Sequence, residues 1–324
     1  MSAGPAGFLA YNKNDIFSAG GPEVNREKTE KECENPEKKA WAALFVLYAV
    51  WGSVFLANRF SLESFPPFLL NAVRFLGGGG ILYLLLRAKG VKNASFKVWA
   101  GSALIGGLLF VGGAGSLTVG QQWVASGLAA TLIATVPLWT VLFAGIWERL
   151  PNRLEWTGLV IGIFGIALLN LEKGISGNLV GALWILGAAV SWGLGSALSR
   201  RMTWLDGPMA TAAQMITGGF MLLLLSLLTG ERMDPLTAKA ASGMVHLVVF
   251  ASVIGMSVYR WLLRNVRPAL ATSYTLANPV IATFLGALFA GEKVSAVALA
   301  AMAVILCGVA LVFRGRENPA GSDL

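Results

Sequence analysis

The chain is short of nearly everything a water-soluble catalytic domain relies on. Charged residues are 13% of its 324 positions, about half the ~25% usual for soluble domains. It has one histidine, His246, and two cysteines, Cys33 in a polar stretch and Cys307 in an apolar run. These are too few and too separated for a metal cluster or an evident disulfide, so no metal and no cofactor is expected. There is no HExxH, no GxSxG and no pair of aspartates, which leaves an intramembrane enzyme without a nucleophile, a base or any assignable catalytic residue. Acidic residues are missing from the interior of the apolar runs: Glu148 and Glu292 stand at run ends, Glu155 and Glu172 in loop margins. Obligate proton coupling needs a titratable group within the path, so facilitated export or exchange is the expectation. A proton-coupled multidrug exporter is the alternative, with an intramembrane enzyme or a structural subunit as readings from other classes. No cleavable leader is expected, because a long polar stretch precedes the first apolar run.

What the sequence has in quantity is apolar length. Hydrophobic residues make up 56% and the mean hydropathy is +0.67. A spanning helix needs ~20 apolar residues, and ten such runs can be read: about 40–60, 67–87, 97–118, 124–147, 154–171, 180–199, 208–229, 240–263, 268–290 and 295–313. They lack the period-two alternation of a membrane β-barrel. The faintest boundary is between the third and fourth, where Gly120, Gln121, Gln122 and Trp123 alone interrupt the apolar stretch.

The net charge of +8 has a membrane explanation. With the N-terminus inside, 18 of the 25 Lys and Arg fall in cytoplasmic segments and four in outer loops (Lys173, Arg232, Lys239 and Lys293). That asymmetry places both termini in the cytoplasm. No basic stripe interleaved with aromatics appears, so no nucleic-acid partner is expected. The expected partners are a small-molecule substrate and the lipid bilayer, for a multi-pass monomer in a bacterial inner membrane.

The two halves of the chain resemble each other at a nearly constant offset. Trp51-Gly52 matches Trp192-Gly193, Arg59 matches Arg200, Pro67 matches Pro208 and Gly77-Gly78 matches Gly218-Gly219, all 141 positions apart. Leu128, Ala129 and Pro137 match Leu270, Ala271 and Pro279 at 142. Five spans per half is an odd number, so the second half enters from the opposite side, the inverted repeat of many secondary transporters. The expected fold is therefore an all-α membrane protein of ten transmembrane helices in two inverted five-helix repeats around a central cavity. The expected segments are a disordered cytoplasmic tail at 1–38, repeats at 39–175 and 176–314, and a short cytoplasmic tail at 315–324.

Residues inside the runs supply the candidate site. Trp51 and Trp192 lie deep in their runs, each followed by a glycine, Gly52 or Gly193. A flat ring beside a glycine can wall a cavity where the helix bends. Trp41, Trp99, Trp123, Trp147, Trp156 and Trp204 suit the interfacial belt instead, whereas Trp139, Trp261, Tyr259 and Tyr274 fall within spans. Pro137 and Pro279 each remove a helix hydrogen bond and are candidate hinges. Thr135 and Asn278 stand ready to satisfy the freed backbone or to meet solute. Gly112 and Gly113 would widen a cavity in the third run, and Gly158 and Gly162 form a GxxxG packing step. Gln121 and Gln122 are candidates for an outer gate or for simple loop polarity. Arg74 and Arg260 are charges within spans. Arg74 either pairs with a substrate carboxylate, holds a helix pair or snorkels outward; Arg260, near a cytoplasmic end, snorkels easily.

In order along the chain, Trp51-Gly52-Ser53, Gln121-Gln122-Trp123-Val124, Thr135-Val136-Pro137-Leu138-Trp139, Arg267-Pro268-Ala269-Leu270-Ala271-Thr272 and Asn278-Pro279-Val280 resemble the EamA-type branch of the drug/metabolite transporter superfamily. The resemblance covers roughly 40–314. It implies a metabolite or amino-acid exporter with a solute path lined mainly by helices one, three, four, six, eight and nine. Ser53, Gly113, Gln122, Trp139, Tyr259, Tyr274 and Asn278 join Trp51 and Trp192 as expected substrate-binding residues. Val111, Gly112 and Gly113 stand where some amino-acid exporters of this kind carry a bulky polar pair.

Overall fold

The computed structural model describes residues 36–147, 153–171, 175–205, 207–265 and 295–317, with Tyr274, Thr275, Asn278, Ile281, Leu285, Leu288 and Phe289 between the last two stretches. Residues 1–35 of the tail predicted over 1–38, the end of the chain from 318, the hinge candidate Pro279 and most of the ninth run lie outside the described residues; Pro36, Glu37 and Lys38 of that tail are already helical.

Nine helices can be traced among the described residues. α1 runs Pro36–Gly52 and, after a break at Ser53, Val54–Ser61. α2 is Pro67–Ala88. α3 joins Phe96–Gly106, a π-helical stretch Gly107–Gly115 and Ser116–Gly120. α4 is Ser126–Ile133 followed by Val136–Gly145. α5 is Arg153–Leu171, α6 Ile175–Arg201 and α7 Pro208–Leu228. α8 joins Ala238–Val245, a second π-helical stretch His246–Gly255 and Met256–Asn265. α9, the tenth run, is Ala296–Glu317. Six of these, α1, α2, α3, α6, α7 and α8, are long and apolar enough to cross a membrane.

The starts of the helices follow from local chemistry. Prolines at Pro67 and Pro208 open α2 and α7, where the missing N–H costs nothing. The N–H groups of Phe68 and Leu69, which have no intrahelical partner, donate to the two carboxylate oxygens of Glu231 at 3.0 and 2.8 Å, so a side chain from the α7–α8 connection caps α2. Ser95 caps α3 by accepting from Val98 N, and Thr237 caps α8 by accepting from Ala240 N. These caps stand 142 positions apart, like the sequence matches.

The predicted single fourth span is broken. Its two segments meet at Ala134 and Thr135, just before Pro137. Proline has no donor for the carbonyl four residues back and crowds the preceding turn, while Thr135 Oγ1 donates to the Leu132 carbonyl at 2.7 Å. Both π-helical stretches are glycine-containing and close on a glycine, Gly115 or Gly255. Their wider turns, typical of functional sites, fall in corresponding parts of α3 and α8.

Glycine sets the helix spacing. A Cβ on Gly308 of α9 would lie 2.6 Å from the Gly158 carbonyl and 2.7 Å from the Gly162 nitrogen, so the GxxxG step of α5 meets α9 backbone to backbone. A Cβ on Gly219 of α7 would lie 2.9 Å from Leu76 in α2, and one on Gly218 would lie 2.9 Å from the Gly106 carbonyl in α3. The outer faces are apolar and open: Phe45 is 73% exposed, Phe164 63% and Leu228 73%. Such a surface suits lipid rather than water.

Candidate functional site

The site is built around Trp51. This indole is 7% exposed, against 60% for Trp41 one face away on the same helix. Its Nε1 donates to the Ala251 carbonyl in the π-helical part of α8 at 3.1 Å. Its ring meets Trp192 edge-on at 6.1 Å, Tyr274 edge-on at 4.6 Å and Tyr259 at 5.0 Å. Edge-to-face packing of this kind holds rings in fixed relative orientation.

Glycines admit these rings. A Cβ on Gly255 in α8 would fall 2.3 Å from Trp51 Nε1, and one on Gly113 in α3 would fall 2.7 Å from Trp192 Cε3. The next residues repeat the pattern. A Cβ on Gly52 would lie 2.6 Å from Ile281, and one on Gly193 would lie 2.7 Å from Trp139 Cβ. Each pair of contacts thus joins positions 141 or 142 apart. Gly52 directly precedes the break at Ser53, but Gly193 lies inside an uninterrupted α6. Close helix approach, rather than a bend, is what requires glycine at 193.

Beside the rings lies a cavity with about 600 Å³ of atom-free space, space open to solvent included. α1 contributes Trp51, Val54 and Phe55; α3 contributes Gly113, Ala114 and Leu117; α4 contributes Ile133 and Val136. Trp192, Met256, Tyr274 and Asn278 close it, and α2 adds Arg74 and Phe75. The expected set of lining helices therefore needs a correction: α2 takes part. Its buried stripe Asn71, Arg74, Phe75, Gly78 and Leu82 faces inward, and Arg74 is 7% exposed, so it does not snorkel.

The other expected residues divide. Trp51, Gly113, Trp192, Tyr274 and Asn278 line the cavity, and Tyr259 packs behind Trp51. Ser53 stands away from the lining, with its hydroxyl 2.9 Å from His246 Nε2 and 2.9 Å from the Val50 carbonyl, to which it donates. Trp139 backs α6 at Gly193 and also lies off the lining. Gln122 is exposed in the turn after α3, so it is corrected as a cavity residue; its neighbour Gln121 is the buried amide. Gln121 Oε1 accepts from Asn58 Nδ2 at 2.8 Å and its Nε2 donates to the Phe55 carbonyl at 3.1 Å. Asn71 Nδ2 donates to Thr118 Oγ1 at 2.8 Å in the same network. Arg260 donates from Nη1 to Ser199 Oγ at 3.0 Å and from Nη2 to the Leu205 carbonyl at 2.9 Å. It fastens α8 to α6 and the turn after it. Asn58 and Ser199, like Thr118 and Arg260, stand 141 and 142 apart, so one polar tie joins α1 to α3 and another joins α6 to α8. Pro137 is buried in α4.

Among the described residues no cluster of His, Cys, Asp or Glu is arranged to hold a metal. The arrangement can enclose a small solute between aromatic walls in a helical membrane body. That defines the class: a polytopic α-helical membrane protein with an internal, aromatic-walled cavity.

The comparisons with known proteins supply the family. The model of the EamA-like transporter family matches twice in succession, over residues 39–171 and 179–314, and the chain belongs to that family. It is 40% identical over 85% of its length to the uncharacterized inner membrane transporter YedA of Escherichia coli, covering 91% of that protein. It is 26% identical to the uncharacterized transporter YoaV of Bacillus subtilis, over 84% of this chain and 95% of that one. A solved crystal structure shares the fold with a TM-score of 0.64 at 23% identity, over 85% of this chain and 97% of its own. The protein is a membrane transporter of the drug/metabolite transporter superfamily.

Proposed function

We propose that this protein exports small metabolites, amino acids or related zwitterionic and neutral solutes, across a bacterial inner membrane by alternating access of two inverted five-helix repeats. The observation that carries the reading is the paired seating of Trp51 against Gly255 and of Trp192 against Gly113, on helices that both border the cavity. Equivalent contacts from equivalent positions are what two halves need if they exchange roles between an inward-open and an outward-open state. The reacting groups of an enzyme are not gathered there: the lining is apolar and aromatic apart from Arg74 and Asn278. Export or exchange without obligate proton coupling fits a lining with no carboxylate among the described residues. The test is purified full chain in liposomes with a panel of labelled amino acids and metabolites. Saturable flux of chemically unchanged solute supports the reading, and a protein that alters its solute, or moves none, sinks it.

The orientation with both termini cytoplasmic rests on the distribution of Lys and Arg. A reporter active only in the periplasm should be silent when fused after Leu324 and active when fused after Lys173. The opposite pattern would reverse the topology.

A further inference from the structure

We infer that Arg74 is an anion-binding residue of the central cavity and that the transported solute carries a carboxylate, held there with its apolar or flat remainder against the aromatic walls. The inference deepens the transport reading by narrowing its substrate class, and it rests on that reading for the word transported.

The argument starts from the cost of the charge. Arg74 is 7% exposed within α2, and among the described residues no Asp or Glu is paired with it. A guanidinium taken out of water without a counter-charge is unfavourable, and buried cations are ordinarily paired. Its one hydrogen bond among the described residues runs from Nε to Ser252 Oγ in α8 at 3.1 Å. Its carbon Cζ lies 4.7 Å from the centre of the Phe75 ring. Those two contacts fix the plane of the guanidinium. Among the described residues no acceptor meets Nη1 or Nη2, and this two-donor edge matches the two oxygens of a carboxylate.

Position then separates a ligand site from a structural post. Arg260, the other arginine singled out within a span, spends both Nη groups on Ser199 and Leu205 and lies off the lining. Arg74 lines the cavity together with Trp51, Trp192, Phe75 and Tyr274, so its guanidinium shares a chamber with flat apolar walls. Asn278 in the same lining keeps its Oδ1 without a hydrogen-bond partner among the described residues, a second polar atom awaiting a donor. A carboxylate head answers the guanidinium and an apolar body answers the rings, while Asn278 Oδ1 takes a donor from elsewhere on the solute, since a carboxylate has none to give.

The full chain in nanodiscs of zwitterionic lipid, followed by tryptophan fluorescence during thermal unfolding and on titration, tests this directly. The probes are benzoate, phenylacetate and phenylalanine, the amides of the same three, inorganic phosphate and a short-chain phosphatidylglycerol. At least one acid should bind about tenfold to a hundredfold more tightly than its amide, the range for a charge-assisted hydrogen bond. Arg74→Gln should erase that preference, whereas Arg74→Lys should keep part of it. Ser252→Ala, which releases Nε but keeps the charge, should retain a preference for the acid and so guards against a fold defect in Arg74→Gln. Acids and amides bound alike, or binding by phosphatidylglycerol or phosphate and by no carboxylate, would overturn the inference, the latter in favour of a lipid-headgroup or phosphate site. The assay reads binding alone. Charge-selective binding without flux in liposomes would leave the anion site standing and remove the transport reading; flux indifferent to charge and to Arg74→Gln would do the reverse.

Discussion

Gly255→Val should reduce flux in liposomes to background while the chain still inserts. A Cβ at 255 would already stand 2.3 Å from Trp51 Nε1, and valine adds two methyl groups beyond it. The indole is held by its bond to the Ala251 carbonyl and by three rings, so it must leave its seat and move toward the cavity. Overpacking of this kind costs about 1–3 kcal/mol, a modest loss beside the loss of the chamber. Gly113→Val should do the same through Trp192, where the Cβ distance is 2.7 Å. Gly80 in α2 and Gly187 in α6 have nothing within 4 Å of an added Cβ, and valine there should leave flux near the wild-type rate. If all four variants behave alike, the seating of the tryptophans has no bearing on transport.

The second large effect is expected from Trp51→Ala. Removing a buried tryptophan leaves a void and costs about 3–5 kcal/mol, and here it also strips Tyr274 and Tyr259 of the ring that positions them. Flux should be lost and the unfolding midpoint should fall. Trp192→Ala should be milder in stability, because Trp192 is half-buried, yet comparable in flux. Trp51→Phe keeps an aromatic face but loses the bond to Ala251, and intermediate flux is expected. Wild-type rates for both alanine variants would remove the two tryptophans from the transport path.

Much of this architecture can be read from the amino-acid order. The run at 67–87 emerges as Pro67–Ala88 and the run at 208–229 as Pro208–Leu228, because proline starts and glycine or charge ends are local signals. Trp51 and Trp192 could be singled out because each breaks the interfacial rule for tryptophan at a matching place in the repeat. The break in α4 falls at Ala134 and Thr135 rather than at Pro137 itself, since proline perturbs the turn before it. The choice of Gln122 over Gln121 failed for a rotational reason. Adjacent residues on a helix end point about 100° apart, and nothing in an apolar stretch says which amide turns inward until Asn58 and the Phe55 carbonyl are in place. Arg74 was partly legible. Asn71, Arg74 and Gly78 recur at helical spacing, a stripe of polar and small residues set apart from Val73, Leu84 and Leu85, which are 38%, 66% and 51% exposed. That stripe marks the inner face without any knowledge of Ser252. The tie between Asn58, Asn71, Thr118 and Gln121 was not legible, because its members come from three helices and no one of them is unusual alone.

The glycine contact between α5 and α9 has a consequence for how the molecule is made. Gly162 meets Gly308, a residue synthesised 146 positions later. At about 5–20 residues per second, translation separates the two by roughly 7 to 30 s. For much of that interval, once α5 has left the ribosome, the Gly158–Gly162 surface is in the membrane without its mate. Lipid chains solvate such a shallow groove poorly compared with a matching helix, so any other helix with small residues nearby, including α5 of a second nascent chain, competes for it. Closure of this contact is thus timed by the synthesis of α9, and an mRNA truncated before Gly308 would leave the α5 groove without its mate.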